Sequence, residues 1–146
     1  MKRGYFGIGV ENLIYEQNLG TLWRSALNLG ADFIFTIGRR YKHQASDTVK
    51  AERHIPFYEY LTFEDFYKAI PRGCRLIGVE ERTNAHNLKC FIHPERAVYL
   101  LGAEDHGLTD KALSYCKDVV RISSRFCLNV SVAGAIVMYD RQNKLS

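Results

Sequence analysis

The sequence predicts an α/β fold in which a mainly parallel sheet carries helices on both faces, and three observations support this class. Short apolar segments rich in β-branched and aromatic residues alternate with helix-like segments along the chain. The apolar runs show little polar alternation, as expected of strands that are covered on both faces. The chain has 146 residues, of which 47% are hydrophobic and 25% charged, and this fits one globular domain over residues 1–146.

The first elements form a predicted β-α-β unit. Two apolar segments, YFGIGV and DFIFTIG, flank a segment whose apolar residues recur at helical spacing. Asn18 is suited to cap the start of this helix, and Gly30 is placed to end it. The predicted apolar face of the helix consists of Leu19, Leu22, Trp23, Ala26 and Leu27.

The alternation continues in the second half of the chain. Three further apolar runs, RLIGVE, AVYLLG and DVVRIS, predict strands. Helices are predicted over TFEDFYKAI, TDKALSYC and NVSVAGAIVMYDRQNK, with Thr62, Thr109 and Asn129 as their N-caps. Residues 38–60 are predicted to be one long irregular segment. Because parallel sheets bind ligands beyond the carboxyl ends of their strands, we expect the functional site at that edge.

Composition narrows the classes of function. No apolar run reaches the roughly 18 residues of a membrane-spanning helix. The start, MKRGYFGIGVENL, lacks the apolar region and cleavage site of a signal peptide, so a cytoplasmic location is expected. The four cysteines show no C-x-x-C pairing and no metal-ligand spacing with the five histidines, which predicts reduced thiols and no metal site. A net charge of +4 is compatible with a polyanionic partner.

Polar residues cluster in three segments where strands and helices begin or end. These are QNLGTLWR at the start of the first helix, LLGAEDHGLT after an apolar strand, and RFCLNVSV before the last helix. Each segment alone also fits a capped helix or an ordinary glycine-containing turn. That interpretation does not explain why polar residues cluster at all three places.

Together the three segments resemble the motifs of the SpoU/TrmH family of SPOUT RNA methyltransferases, and the resemblance covers nearly the whole chain. The first family motif, N-x-G-x-x-x-R, is matched by Asn18, Gly20 and Arg24. The second motif, G-x-E-x-x-G-L, is matched by Gly102, Glu104, Gly107 and Leu108. The third motif, S-L-N-V-S, is matched by Leu128, Asn129, Val130 and Ser131.

The resemblance implies a particular topology, cofactor and assembly. The C-terminal part of the chain would form a deep trefoil knot, with the last helix passing through the loops of the preceding strands. S-adenosylmethionine would bind at those loops, and a homodimer would bring the first-motif arginine near a cofactor site across or beside the interface. The residues implied for cofactor binding are Val79, Glu80, Gly102, Ala103, Glu104, Gly107, Ile122, Leu128 and Ser131.

The reaction implied by the resemblance is methyl transfer to a ribose 2′-hydroxyl of RNA. This hydroxyl is a poor nucleophile at neutral pH, so it must lose its proton as it attacks the methyl carbon. Arg24 is the implied catalytic residue, because a cation beside the ribose would stabilise the developing alkoxide and hold the adjacent phosphate. Asn18, Glu104 and Asn129 are implied to orient Arg24 and the ribose.

The sequence departs from the family pattern in the third motif. Cys127 stands where the family has serine, and the loop before it is shorter and lacks the usual proline and glycine after Ile122. A thiol is a weaker hydrogen-bond donor than a hydroxyl. If the family serine serves to bond the arginine or the ribose, a lower catalytic efficiency is expected here, with a smaller effect on cofactor binding.

No separate RNA-binding extension is expected, because the first predicted strand starts at about Tyr5, so the domain and its dimer partner are expected to hold the RNA. The best candidate is a basic loop in which Tyr41 and His43 are interleaved, because phosphate contacts and base stacking need those residue types. A solvated polar loop is the alternative. The size of the chain favours transfer RNA over ribosomal RNA. The residues predicted to bind RNA are Arg39, Arg40, Lys42, Lys50 and Arg53.

Two other classes of function fit parts of the sequence. One is a non-catalytic RNA-binding or scaffold dimer that keeps the fold but has lost turnover through its third motif. The presence of Asn18, Arg24 and Glu104 argues against this class. The other is a small α/β enzyme acting on a nucleotide or metabolite, but the sequence has neither a G-x-G-x-x-G fingerprint nor a nucleophile elbow.

Overall fold

The computed structural model describes residues 4–41 and 54–145, in which seven strands form one sheet. The strands are β1 (Tyr5–Glu11), β2 (Phe33–Ile37), β3 (Phe57–Tyr60), β4 (Arg75–Val79), β5 (His86–Asn87), β6 (Arg96–Leu101) and β7 (Asp118–Arg121). The helices in the described ranges are α1 (Glu16–Asn28), α2 (Phe63–Ala69), α3 (Asp110–Tyr115) and α4 (Val130–Leu145), and a 3₁₀ turn spans Leu88–Cys90. The strand order is β3-β2-β1-β6-β4-β7-β5, and every pairing between these strands is parallel.

The sheet is covered by helices on both faces, which confirms the predicted fold class. Successive side chains of a strand point to opposite faces, so β2, β4 and β6 each contribute to two separate cores. One core joins alternate residues of β1, β4 and β6 to α1 and α4, and includes Leu22, Trp23, Val137 and Met138. The other joins residues of β2, β4 and β6 to Phe63 and Phe66 of α2 and Ala112 of α3. Among the described residues, no helix combines the length and apolar character needed to cross a bilayer.

The helix ends follow the local sequence signals. The Thr62 hydroxyl accepts a hydrogen bond from the Asp65 amide, and the Thr109 hydroxyl accepts one from the Ala112 amide. After the last residue of α1, Gly30 adopts a φ of +88°, a conformation that favours glycine. The predicted caps of α2 and α3 and the predicted end of α1 are therefore confirmed.

Three features of the fold differ from the sequence predictions. Asn18 does not cap α1, because the helix begins at Glu16 and its N-cap residue is Tyr15. Strand β3 lies inside the segment that was predicted to be irregular. Its residues FYEY are at most half-buried, so they lack the continuous apolar run that marks the central strands. The two-residue strand β5 was missed because it is too short to show a periodicity.

A buried polar network holds the C-terminal half of α4 against the segment before β6. The ring of His93 is enclosed, with Nδ1 2.7 Å from the Tyr99 hydroxyl and Nε2 2.7 Å from Asp140 Oδ2. Burial lowers the pKa of His93, which outweighs the opposing influence of Asp140, so the ring is neutral at neutral pH. Nε2 then donates to Asp140 and the Tyr99 hydroxyl donates to Nδ1. Arg141 donates to the same hydroxyl at 3.1 Å, which completes the network.

Candidate functional site

The residues predicted to bind the cofactor lie at one edge of the sheet. Strands β6, β4 and β7 are neighbours, and all three run in the same direction. Val79 at the end of β4 pairs with Leu101 of β6 and Val120 of β7, so the three strands end side by side. The loops that leave them, residues 80–85, 102–109 and 122–129, therefore begin together at the carboxyl edge, where parallel sheets bind ligands.

The loop after β6 folds back tightly on itself. Ala103 and Gly107 form an antiparallel bridge, with N to O distances of 3.2 and 3.0 Å. A Cβ on Gly102 would lie 2.2 Å from the Gly107 carbonyl carbon, so the two backbones are in close contact. Gly107 has a φ of +69°, and a Cβ there would lie 2.4 Å from the Glu80 carboxylate. Both second-motif glycines are therefore required by the shape of this loop.

Two carboxylates hold the far end of the loop. Glu80 accepts a hydrogen bond from the Leu108 amide at 3.2 Å. Glu11, which ends β1 and is 4% exposed, accepts from the amide and the hydroxyl of Thr109 at 3.0 and 2.9 Å. Burial raises the pKa of Glu80, helped by the nearby charge of Glu11 and opposed by the Leu108 amide. The sequence analysis missed Glu11, although a carboxylate closing the apolar strand YFGIGVE could have indicated it.

Glu104 connects the loop after β6 to the start of α1. Its carboxylate accepts hydrogen bonds from the amides of Ile14 and Tyr15, at 2.8 and 3.0 Å, and from the Asn18 side-chain amide at 2.8 Å. Partial burial acts to raise the pKa of Glu104, but these three hydrogen bonds outweigh it and hold the pKa below its ordinary value. Glu104 is therefore ionised at neutral pH and acts only as an acceptor.

Asn129 extends this contact to the last helix. Its side-chain nitrogen donates to the Asn18 side-chain oxygen at 3.0 Å, and its side-chain oxygen accepts from the Ser131 amide at 2.9 Å. Asn129 thus caps α4 as predicted while bonding to α1. We call this series of hydrogen bonds, from Glu104 through Asn18 to Asn129, the polar relay. It joins one residue from each of the three predicted motifs, across sequence separations of 86 and 111 residues.

Arg24 lies on the exposed face of α1, six residues after Asn18. At 1.5 Å and 100° per residue, its Cα is about 9 Å farther along the helix and about 120° around it from that of Asn18. The residues Thr21 and Ser25 on the same side of α1 line a groove against α4. Arg24 therefore stands beside the groove between the two helices.

The other predicted residues between the end of β7 and the start of α4 lie at the same edge of the sheet. Ser131 is buried, and its hydroxyl donates to the Asn129 side-chain oxygen. Ile122 is half-buried directly after β7, whereas Cys127 and Leu128 are exposed. The expectation that Cys127 lowers catalytic efficiency stays a prediction.

Of the residues predicted to bind RNA, Arg39 and Arg40 are described, whereas Lys42, Lys50 and Arg53 lie outside the described residues, as does His43. Arg39 donates to the Ile14 carbonyl at 2.6 Å, and its guanidinium lies 4.8 Å from the centre of the Tyr41 ring. Arg40 lies 3.8 Å from the Glu59 carboxylate. Tyr41 is only 6% exposed, and its hydroxyl donates to the Leu13 carbonyl, so its ring does not offer a stacking surface.

The family assignment follows from comparison with known proteins. The profile of the SpoU rRNA Methylase family matches residues 6–139, which include all three predicted motifs and the whole polar relay. The chain belongs to the SpoU rRNA Methylase family. The predicted resemblance is thereby confirmed.

Individual relatives agree with this assignment. The chain is 29% identical over 145 residues to tRNA (guanosine(18)-2′-O)-methyltransferase TARBP1 of Mus musculus, covering 88% of this chain and 9% of that protein. It superimposes on the SpoU methyltransferase AviRb of Streptomyces viridochromogenes with a TM-score of 0.86 and 19% identity, covering 98% of this chain and 60% of that one. The chain also superimposes on a structure that was described as giving structural insights into the 2-OH methylation of C/U34 on tRNA. The TM-score is 0.84 and the identity 23%, and the match covers 97% of both chains. The structural likenesses confirm the fold.

Proposed function

We propose that this chain transfers a methyl group from S-adenosylmethionine to a ribose 2′-hydroxyl of RNA. The observation that carries the proposal is the polar relay, which brings Asn18, Glu104 and Asn129 together at the carboxyl edge of the sheet. Membership of the SpoU family supports the reaction class. Transfer RNA is the favoured substrate because TARBP1 is named for it and the C/U34 structure concerns it, and both span most of this chain. Ribosomal RNA is the other possible class.

The residues at the carboxyl edge fit the proposed cofactor. When bound, S-adenosylmethionine supplies a methyl group on a positively charged sulfur. The edge offers closely folded backbone at Gly102 and Gly107 and the carboxylates of Glu80 and Glu104, a donor and acceptor set suited to a cationic amino acid joined to a nucleoside. AviRb has been solved in complex with AdoMet on the same fold. The residues proposed to hold the cofactor are Val79, Glu80, Gly102, Ala103, Glu104, Gly107, Ile122, Leu128 and Ser131.

Arg24 is proposed to act on the ribose. The hydroxyl proton must leave as the oxygen attacks the methyl carbon, and negative charge develops on that oxygen. A guanidinium beside it stabilises this charge and binds the neighbouring phosphate. Glu104 fixes the orientation of Asn18, and Asn18 in turn fixes that of Asn129, so the two amides can position the ribose without rearranging during the reaction.

The proposed reaction predicts a specific product. Incubation with S-adenosylmethionine and unmodified transfer RNA should yield a 2′-O-methylnucleoside, measured by mass spectrometry after digestion to nucleosides. Arg24→Ala should reduce the yield at least about tenfold, because a group that stabilises transition-state charge contributes more than about 1.4 kcal/mol. Arg72→Ala removes an exposed arginine just before β4, at the opposite edge of the sheet, and should leave the yield unchanged. Binding of S-adenosylmethionine without product from any RNA would support the scaffold alternative.

We also propose that the chain forms a homodimer through α1 and α4. A groove of about 410 Å³ runs between these helices. Its α4 side exposes large apolar side chains, with Ile136 37% and Tyr139 55% accessible. A second copy seated in this groove would lie beside Arg24 of the first, which would place that arginine at the interface. The residues lining the groove are Thr21, Ser25, Leu29, Ser131, Val132, Ala135, Ile136 and Tyr139.

The dimer proposal is tested by Ile136→Asp. Burying a carboxylate in an apolar interface is costly, so this variant should shift the molar mass measured by light scattering from dimer to monomer. Methyl transfer should fall with dimer content if Arg24 acts at the interface. Ile92→Asp makes the same change at a side chain that is 88% exposed before β6, and it should not alter the mass. A natural chain that is monomeric at micromolar concentration would contradict the proposal.

Two further parts of the proposal concern the topology of the chain and its location. The deep knot is proposed because α4 returns from the loop after β7 to pack on α1, with Asn129 bonded to Asn18. A cytoplasmic location is proposed because all four cysteines are free thiols, which suits a reducing compartment. The intact polar relay argues against the alternative of a non-catalytic scaffold.

A further inference from the structure

An exposed aromatic side chain lies in the loop that leads to Asn129. Phe126 is 77% exposed, although it belongs to a residue type that is usually buried. A single exposed apolar side chain is common on protein surfaces, so an inference about function must come from the residues around it. The guanidinium of the neighbouring exposed Arg125 lies 5.7 Å from the centre of the ring, and the Ser124 hydroxyl donates to the Phe126 carbonyl at 2.8 Å. The loop thus presents a ring and a cation together on a braced backbone.

This pair stands next to the polar relay. Phe126 precedes Asn129 by three residues, so their Cα atoms are at most about 11 Å apart. Asn129 is hydrogen-bonded to Asn18 at 3.0 Å and caps α4, which fixes the end of the loop. A ligand group in contact with Phe126 is therefore close to a ribose held at the relay.

The chemistry of the pair suits a single-stranded nucleobase. A flat ring offers a stacking surface to any base, and a guanidinium beside it can stack on the same base or bind the adjoining phosphate. The loop predicted from sequence to supply stacking does not do so through Tyr41, whose ring is buried. Phe126, in the third segment, is by contrast open to solvent.

We propose that Phe126 stacks on a base of the RNA at or next to the methylated nucleotide, and that Arg125 binds the phosphate beside it. This inference rests on the proposed function and adds a substrate-positioning residue to it. The base lies flat on the ring, so the contact selects for an unpaired nucleotide rather than for one base identity.

The test compares Phe126→Ala, Phe126→Trp and the control Ile92→Ala, which removes an even more exposed apolar side chain from the segment before β6. Base stacking on an aromatic side chain is worth about 1–3 kcal/mol, so Phe126→Ala should weaken the binding of unmodified transfer RNA, measured by fluorescence anisotropy, by about 5- to 150-fold. Phe126→Trp should bind within about threefold of the natural chain. Ile92→Ala should be unchanged, as should the affinity of all variants for S-adenosylmethionine by calorimetry.

Several outcomes would overturn this inference. Equal RNA affinity in Phe126→Ala and the natural chain would exclude stacking. A loss of S-adenosylmethionine affinity would show that the ring covers the cofactor, and a change from dimer to monomer would show that it contacts the partner. Failure of the proposed function is distinguishable, because a natural chain that binds RNA through Phe126 without methylating it would retain the stacking contact and refute the reaction.

Discussion

Glu104→Gln should lower the rate of methyl transfer by about 10- to 150-fold, because a hydrogen bond to a charged group contributes roughly 1.5–3 kcal/mol and each 1.4 kcal/mol is tenfold in rate. Glu104 accepts on both oxygens, from the Ile14 amide on one and from Tyr15 and Asn18 on the other. A glutamine has one accepting oxygen, so its amide nitrogen must face a donor on one side.

The conflict cannot be relieved by turning the amide. If the glutamine nitrogen faces Ile14, that backbone donor loses its partner. If it faces Asn18, the Asn18 amide must rotate, and Asn129 must then rotate as well and withdraw its oxygen from the start of α4. Either arrangement disturbs the polar relay, and so the positioning of the ribose.

The matched control for this prediction is Asp105→Asn. Asp105 is the exposed neighbour of Glu104, and its carboxylate contacts the amide and the ring of the exposed His106, so the same chemical change should leave the rate within about twofold. Rates are compared at saturating S-adenosylmethionine with transfer RNA, alongside thermal unfolding of each variant. A Glu104→Gln variant with the natural rate would show that the relay does not position the reacting groups.

The sequence predicted the relay residues but not the way they are joined. Asn18, Glu104 and Asn129 were identified because polar side chains at helix starts and after strands are recognisable by position. Asn18 was assigned to helix capping because asparagine favours that role, whereas tertiary contact with Glu104 and Asn129 places it inside the first turn. The amides of Ile14 and Tyr15 could not be predicted, because backbone donors have no side-chain signature.

For the fold too, elements with a local sequence pattern were predicted, and elements that depend on distant contacts were not. The central strands were predicted because they are buried on both faces and read as apolar runs, as in RAVYLL of β6. At the edge of the sheet, β3 is held partly by contacts of its polar residues, such as the Glu59 carboxylate that accepts from the Tyr41 amide. Such contacts depend on residues 18 positions apart and leave no local pattern.

Helix α4 is held near both ends by hydrogen bonds, and those near its C-terminal end could not be predicted from the sequence. Asn129 holds the start of α4 at the functional edge, and Arg141 holds its C-terminal half. Arg141 lies 11 residues after the first residue of α4, which at 1.5 Å per residue places it about 17 Å along the helix. An arginine near a helix end is usually solvated, yet Arg141 is only 2% exposed. Because α4 is one rigid element, this distant network contributes to the position of Asn129 in the relay.

Arg141→Met should destabilise the protein by about 2–4 kcal/mol, because it removes a buried charged donor group whose acceptors stay in the interior. Arg141 donates to the Pro94 and Glu95 carbonyls at 2.7 and 2.6 Å and to the Tyr99 hydroxyl at 3.1 Å. Its guanidinium also lies 4.7 Å from the centre of the Phe6 ring. Methionine keeps most of the apolar stem, so the loss reports mainly on the guanidinium contacts.

The measurement is the free energy of unfolding from urea titration, with the m-value checked for two-state behaviour. Arg75→Met makes the same chemical change at a side chain that is 54% exposed and pairs with Asp118 at 3.1 Å. A surface pair of this kind contributes about 0–1 kcal/mol, so Arg75→Met should be close to the natural chain. Equal losses in the two variants would show that the buried network adds nothing beyond an ordinary ion pair, and that Asn129 alone is enough to anchor α4.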